Sequence, residues 1–195
     1  MRYRTLIISV LFSLLLASAI FATDKYELDP VHTRIGFTAR HLMINNVSGR
    51  FTDFTGNILY DEQDVTKSSV AVKIQTASVS TENKMRDDDL RSANFFDIAK
   101  YPEITFQSSR IEKQGDSYVC AGTLTMHGVS KEVSVPFTIL GKIKDPWGNT
   151  RMGLESELKI DRRDWGLMYS KTLDNGGLIV GNDIKIDINV EAVKK

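Results

Sequence analysis

Residues 183–192 read DIKIDINVEA, and this stretch decides the fold of the chain. Every second side chain, from Ile184 to Ala192, is apolar, whereas the side chains between them are charged or carry an amide. Side chains alternate between the two faces of a β-strand, so this pattern is typical of a strand with one face in water and one in a core. One face of the strand therefore needs an apolar partner.

The same alternation recurs along the chain and predicts eight strands. They are residues 34–43, 47–60, 68–76, 103–111, 117–127, 131–143, 150–160 and 180–193. Most are joined by short turns that carry glycine or proline, which favours antiparallel neighbours. The connection 77–102 contains one candidate helix, residues 82–91. An all-β chain of this kind buries its apolar faces either in two stacked sheets or in a closed antiparallel barrel.

The N-terminal segment differs from the rest of the chain. Arg2 and Arg4 precede an uncharged stretch from residue 6 to residue 20, and small residues follow before Asp24. This order is typical of a secretory signal peptide, and the apolar stretch is short for a membrane anchor because the bilayer core is about 30 Å thick. We expect residues 1–22 to be a signal peptide and residues 23–195 to form one domain.

Charge and cysteine content narrow the function classes. The chain has 25 basic and 25 acidic residues, and removal of residues 1–22 takes away two arginines and no acid, which leaves 23 against 25 and a net charge of −2. This balance indicates neither nucleic acid nor an anionic membrane surface as a partner. The single cysteine, Cys120, cannot form an intrachain disulfide, so the fold must depend on packing.

The sequence lacks the common motifs of catalytic sites. The sequence contains no GxSxG, P-loop, GxGxxG, HExxH or CxxC motif. His41 is the most informative of the three histidines, because its strand phase places it on the same face as Phe37 and Met43. Such a histidine is most often a buried residue with one hydrogen bond, but it can also be a metal ligand, a catalytic base or a contact to a ligand head group.

Several motifs, in order along the chain, resemble the YceI-like family of secreted bacterial lipid-binding proteins. Together they span almost the whole chain after residue 22. They are Asp29-Pro30-Val31-His32, His41-Leu42, Gly49-Arg50-Phe51, Ser92-Ala93-Asn94-Phe95-Phe96-Asp97, Gly122-Thr123-Leu124-Thr125-Met126-His127-Gly128 and Arg163-Asp164-Trp165-Gly166.

The resemblance implies a lipocalin-like barrel with an apolar tunnel that holds a polyisoprenoid or a similar long-chain amphiphilic lipid. It also implies a periplasmic protein, commonly a homodimer, and no catalytic set. We therefore expect a lipid-binding carrier without stable membrane insertion after signal cleavage, with no metal and no cofactor other than the bound lipid. The residues expected to line the cavity or its mouth are Phe37, His41, Phe54, Phe106, Met126, Phe137 and Trp165.

Two other functions stay open from the residues alone. One is a metal- or redox-linked enzyme built on the same barrel with His41 in its site. The other is an envelope interaction protein with a solid barrel, because a filled barrel and a hollow one share the same alternation.

The signal peptide yields the first testable prediction. Cleavage after Ala19 or Ala22 leaves a chain that begins at Ile20 or Thr23. N-terminal sequencing and intact mass of protein from the periplasmic fraction check this outcome. Retention of residues 1–22 in protein recovered from the membrane fraction would contradict it.

Overall fold

A computed structural model describes residues 23–171 and 177–195; the predicted signal peptide lies outside the described residues. Nearly all of the regular structure is β, in agreement with the sequence. The strands are β1 (Asp24–Leu28), β2 (Arg34–His41), β3 (Asn45–Phe51), β4 (Phe54–Tyr60), β5 (Ser69–Gln75), β6 (Val79–Ser80), β7 (Glu103–Gln114), β8 (Ser117–Met126), β9 (Val129–Lys144), β10 (Thr150–Asp161) and β11 (Val180–Lys194). One α-helix, α1 (Lys84–Arg91), lies between β6 and β7.

These segments occupy eight positions in one closed antiparallel barrel. β1 and β2 both pair with β11, at its C-terminal and N-terminal parts, so they share one position around the ring. β3 and β4 share the next position and β6 and β5 the one after, followed by β7, β8, β9, β10 and β11. The predicted eight-stranded antiparallel barrel is therefore confirmed.

The structure corrects the predicted strand 47–60, which is two strands separated at Thr52 and Asp53. The neighbouring position breaks at the same level, between β5 and β6. Backbone hydrogen bonds across the break, from Thr52 N to Ser78 O and from Gln75 N to Asp53 O, satisfy the groups that leave the ladder. Alternation continues through such a bend, so the pattern alone does not reveal it.

Helix α1 begins two residues later than predicted, at Lys84. Asn83 is the N-cap, and its side chain accepts a hydrogen bond from Arg86 N at 3.1 Å. The buried carboxylate of Asp87 accepts hydrogen bonds from both the amide and the hydroxyl of Thr81, just beyond β6. The helix is therefore held over one end of the barrel, the end at which β10 finishes and β11 begins. We call this end the cap end.

The opposite end of the barrel is closed by its own packed side chains. Tyr26, Met152 and Ala192 are at most 1% exposed there, and the rings of Tyr26 and Tyr60 meet edge to face at 6.1 Å. Lys142 Nζ lies 5.0 Å from the centre of the Tyr60 ring. We call this end the packed end.

A single arginine, Arg151, joins three segments at the packed end. Its guanidinium lies 2.7 Å from Asp145 Oδ2, 2.8 Å from Asp29 Oδ2 and 2.5 Å from Glu191 Oε1. The hydrogen bond from Arg151 lowers the pKa of Asp145 to about 2. Burial alone raises the pKa of Asp29, but hydrogen bonds from His32 and Arg151 outweigh it and leave that pKa lowered. The network ties the 29–33 break and the β9–β10 turn to β11.

Replacement of Arg151 by methionine leaves three carboxylates without their shared cation, and we expect the melting temperature at pH 7 to fall by about 5 °C or more. A carboxyl group with a lowered folded-state pKa stabilises above its unfolded pKa of about 4, and the contribution disappears as the pH falls toward the folded value. The difference between wild type and variant should therefore shrink between about pH 4 and pH 2. Thermal unfolding followed by circular dichroism measures both effects.

The control is Arg110→Met, because Arg110 is 67% exposed and, among the residues that the structure describes, forms its ion pair with the exposed Glu112. Exposed pairs contribute about 0–1 kcal/mol, so this variant should melt close to wild type. Equal effects of the two substitutions would contradict the assignment of Arg151 as the cation that joins these segments.

Candidate functional site

The barrel encloses a cavity of about 290 Å³. Its wall is almost wholly apolar and draws on every strand position of the ring. Phe106, Val135 and Ile186 point into the barrel and yet are only partly buried. Their inner surfaces remain accessible because they face this cavity. The interpretation of the barrel as solid is therefore wrong.

Aromatic side chains leave the barrel axis open because their rings lie against glycines on the neighbouring strand. A Cβ on Gly49 would lie 2.4 Å from Phe37 Cζ, and a Cβ on Gly122 would lie 2.7 Å from Phe106 Cζ. Phe37 pairs directly with Gly49 in the β2–β3 ladder. The two rings thus occupy the space above glycine backbone instead of the centre of the barrel.

The cavity extends along much of the barrel. On β10, the inward row runs from Leu154 through Ser156 and Leu158 to Ile160, and Arg162 follows the row in the next turn; all five line the cavity. Eight residues at about 3.3 Å each correspond to about 25 Å between Leu154 and Arg162. The space is long and narrow, a shape that suits an extended chain.

Two long connections cover the cavity at the cap end. Leu90, Phe95 and Phe96 come from the segment that contains α1, and Leu167 comes from the connection between β10 and β11. The Phe96 ring meets Phe51 at 5.8 Å, which attaches the cap to β3. The Phe95 ring lies 5.0 Å from that of Tyr169, so the two connections also contact each other.

The structure separates the seven residues that the sequence assigns to the site into three groups. Four of them line the cavity: Phe37, Phe106, Met126 and Phe137. Phe54 and Trp165 are buried, at 6% and 2% exposure, in a core cluster and do not line the cavity. His41 is exposed at the end of β2 and does not line the cavity. Contact of any of these residues with a ligand stays a prediction.

Trp165 has a structural position. Its Nε1 donates to Leu124 O at 3.1 Å, and its own carbonyl lies 3.1 Å from His127 Nδ1. The ring of His127 in turn packs edge to face on Tyr101 at 4.4 Å. Trp165 therefore joins the β10–β11 connection to the β8–β9 hairpin.

The buried environment expected for His41 is wrong. The strand ends at His41, and Leu42 and Met43 have positive φ values of 51° and 60° in the turn that follows. Met43, which continues the alternating apolar pattern of β2, is 50% exposed. The pattern in the sequence therefore extends past the end of the strand and beyond the barrel wall. An enzyme site at His41 would thus lie outside the cavity.

One group of possible metal ligands occurs among residues 23–171 and 177–195, formed by Asp29, His32 and Glu191. The guanidinium of Arg151 already contacts both carboxylates. A metal ion there would have to replace this cation, so the group fits a structural ion pair better than a metal centre.

Cys120, Ser156 and Arg162 line the cavity but expose almost no polar surface to it. Burial raises the pKa of the Cys120 thiol to about 11, so the sulfur is protonated and unreactive at neutral pH. Ser156 Oγ is buried and has no hydrogen-bond partner in the described part of the chain. Arg162 is 3% exposed at the cap end. Arg162 lies in the run Asp161-Arg162-Arg163-Asp164. Surface ion pairing is the common role of arginines in such a run, so the sequence does not single out Arg162 as buried.

A closed antiparallel barrel around an apolar cavity defines a class of protein, the hollow lipocalin-like barrels. Residues 26–192 match the YceI-like domain family, and the chain belongs to this family. It is 36% identical over 178 residues to a UPF0312 protein of Pectobacterium atrosepticum, with 91% of this chain and 90% of that protein covered. The same values hold for Protein YceI of Salmonella newport.

Solved structures agree with the fold. The YCEI protein of Campylobacter jejuni is 36% identical, with a TM-score of 0.70 over 86% of this chain and 96% of that one. BcnA of Burkholderia cenocepacia is 24% identical, with a TM-score of 0.74 over 84% and 98% of the two chains. A polyisoprenoid binding domain from Saccharophagus degradans is 16% identical, with a TM-score of 0.63 over 87% and 98%.

A further finding concerns membranes. Among residues 23–171 and 177–195, no helix has the length and apolar character needed to cross a bilayer.

If the interior is hollow, replacement of valine by phenylalanine should destabilise the protein less at a position that lines the cavity than at one in the packed core. Val135 lines the cavity, and Val135→Phe should change the free energy of unfolding by less than about 1 kcal/mol because the ring enters open space. Val79 is 0% exposed in the packed core, and Val79→Phe should cost about 1–3 kcal/mol. Urea unfolding of both variants measures the difference, and equal destabilisation would show that the interior is filled.

Proposed function

We propose that this protein is a non-catalytic carrier that binds one long-chain amphiphile, such as a polyisoprenoid, with its chain inside the barrel. The observation that supports the proposal is the continuous apolar cavity along the inward face. Membership of the YceI-like family and the polyisoprenoid binding domain of similar fold are consistent with such a ligand.

Hydrophobic burial supplies the affinity. Apolar residues of the strands and the cap present their inner surfaces to the cavity. A bound chain covers these surfaces, and its own apolar surface is removed from water at the same time. Each buried methylene contributes about 0.8 kcal/mol, so a chain of moderate length binds without any reactive group. Selection among chains of similar length is weak, because one methylene changes the binding free energy by only about 1–3 kcal/mol.

Phe37, Phe106, Met126 and Phe137 are the proposed chain-contacting residues among those selected from the sequence. Phe54 and Trp165 act indirectly in this proposal, since they hold the wall and the cap in place. The chain enters at the cap end, because the packed end is closed by fully buried side chains whereas the cap consists of two non-strand connections.

We place the carrier in the periplasm, because residues 1–22 have the pattern of a cleaved signal peptide. The homodimer implied by the family resemblance stays a prediction, which sedimentation equilibrium of the cleaved protein checks.

The test of the function is the ligand that the protein retains. We expect organic extraction of protein purified from the periplasm of its native host to release about one long-chain amphiphile per chain, identified by mass spectrometry. The delipidated protein should then take up prenyl or acyl chains, followed by native mass spectrometry. Absence of both retained lipid and uptake would sink the proposal.

A matched pair of variants tests whether the ligand chain binds inside the barrel. Val135→Phe fills space equivalent to two or three methylenes of ligand, so the affinity for a long chain should fall roughly 10- to 50-fold. Ser134→Phe adds a ring at the adjacent, outward-facing position of β9 and should bind like wild type. Equal affinity of the two variants would show that the chain binds elsewhere.

A further inference from the structure

The cavity ends where the inward row of β10 passes from Leu154 to Met152. Leu154 lines the cavity, whereas Met152 is 0% exposed and does not line it. Met152 belongs to a buried cluster at the packed end, which we call the floor and which consists of Tyr26, Ile58, Tyr60, Met152 and Ala192. Ile58 belongs to the floor and also lines the cavity, so the floor lies directly beneath the open space.

The side chains of the floor are held by strands that are paired on both edges. Met152 pairs directly with Ala192 in the β10–β11 ladder, and β10 pairs with β9 along its other edge. Tyr26 lies in β1, which pairs with β4 and with β11. Close-packed side chains on such strands yield little space, so a chain that enters from the cap end stops at the floor.

The wall above the floor determines which end of an amphiphile reaches it. This wall exposes almost no polar surface. A polar head group inside it would lose its hydrogen bonds to water and gain none in return, which is unfavourable. In the proposed carrier the head group therefore stays at the cap end, and the free end of the chain points to the floor.

The height of the wall follows from the geometry of β10. Its inward row from Leu154 to Ile160 covers six residue steps, or about 20 Å along the strand. Strands of a closed barrel tilt by about 35–45°, so this row rises about 15 Å along the barrel axis. Carbon–carbon bonds of about 1.5 Å advance an extended chain by about 1.25 Å per carbon, so about 12 carbons fit above the floor.

We propose that Met152 sets the length of chain that the barrel holds, because the free end of the chain rests on its side chain. This inference rests on the proposed carrier function and specifies its ligand class, amphiphiles with an uninterrupted apolar segment of about 12 extended carbons inside the barrel. Longer chains are not rejected. Their additional carbons stay outside the cavity, where burial contributes nothing to the affinity.

The test is a chain-length series of saturated fatty acids, from octanoate to octadecanoate. Binding to the delipidated protein is measured by calorimetry at pH 8, with each acid below its micelle concentration. Each added methylene should raise the affinity about fourfold up to about 12 carbons. Beyond this length the affinity should level off, with changes of less than about twofold per methylene, and we call this length the break.

Two substitutions should move the break in opposite directions. Met152→Ala removes Cγ, Sδ and Cε from the floor, so tetradecanoate should bind about tenfold more tightly to this variant than to wild type. Leu154→Phe adds a ring at the closed end of the cavity, so dodecanoate should bind about tenfold more weakly and the break should fall at a shorter chain.

Val79→Ala is the control for a loss of stability. Val79 is 0% exposed in the other core cluster and does not line the cavity. Its truncation should lower the midpoint of urea unfolding and leave the break at the wild-type length.

The outcomes separate this inference from the carrier function. A wild-type affinity that rises steadily up to octadecanoate overturns the floor as a length limit and leaves the carrier function intact, whereas no binding of any acid overturns both. A wild-type break that neither substitution moves overturns the role assigned to Met152 and its neighbour in the row. If Met152→Ala does not fold, Leu154→Phe decides, because its added ring enters open space.

Discussion

The structure depends on ring closure by β11. This strand pairs with β10 along one edge and with both β2 and β1 along the other, so it removes the two free edges that an open sheet would present. Closure also forces all eight apolar faces inward, around one interior. Both ends of the barrel are attached to the same strand, since Glu191 binds Arg151 at the packed end and Gly181 accepts from Arg162 at the cap end. The closed ring and the side-chain contacts at its two ends therefore all depend on β11.

An eight-stranded ring is close to the size at which side chains alone can fill the interior. In this protein, glycines opposite large rings shift the balance toward an open centre, because Gly49 receives the Phe37 ring and Gly122 receives the Phe106 ring. The walls then keep exposed apolar surface in the empty state, and that surface is unfavourable in water. Its removal from water by a bound chain supplies the binding free energy that the proposed function requires.

The two arginines at the ends of β10 show how the surroundings determine the role of the same side chain. Arg151, near the start of the strand, contacts three carboxylates and joins three segments. Arg162, directly after its end, is buried and donates to uncharged oxygens of the β10–β11 region, those of Leu167, Val180, Gly181 and Asn182. Arg151 thus joins its segments through ion pairs, whereas Arg162 joins the end of β10 to the start of β11 through hydrogen bonds to carbonyl groups.

The sequence by itself determined most of the strands and their inward faces, because period-2 alternation depends only on local backbone geometry, but it did not reveal the break at Thr52 and Asp53. It also identified Phe37, Phe106, Met126 and Phe137 as residues that face inward. The alternation does not encode the level of a residue along the barrel axis, which is why His41 has the inward phase yet lies beyond the wall, and why Phe54 lies in packed core. Trp165 lies in a connection, outside any alternating strand, and only the tertiary structure shows that it is packed. Only the tertiary structure decided that the interior is hollow and that Arg162 is buried, because both depend on distances between strands and connections far apart in the chain.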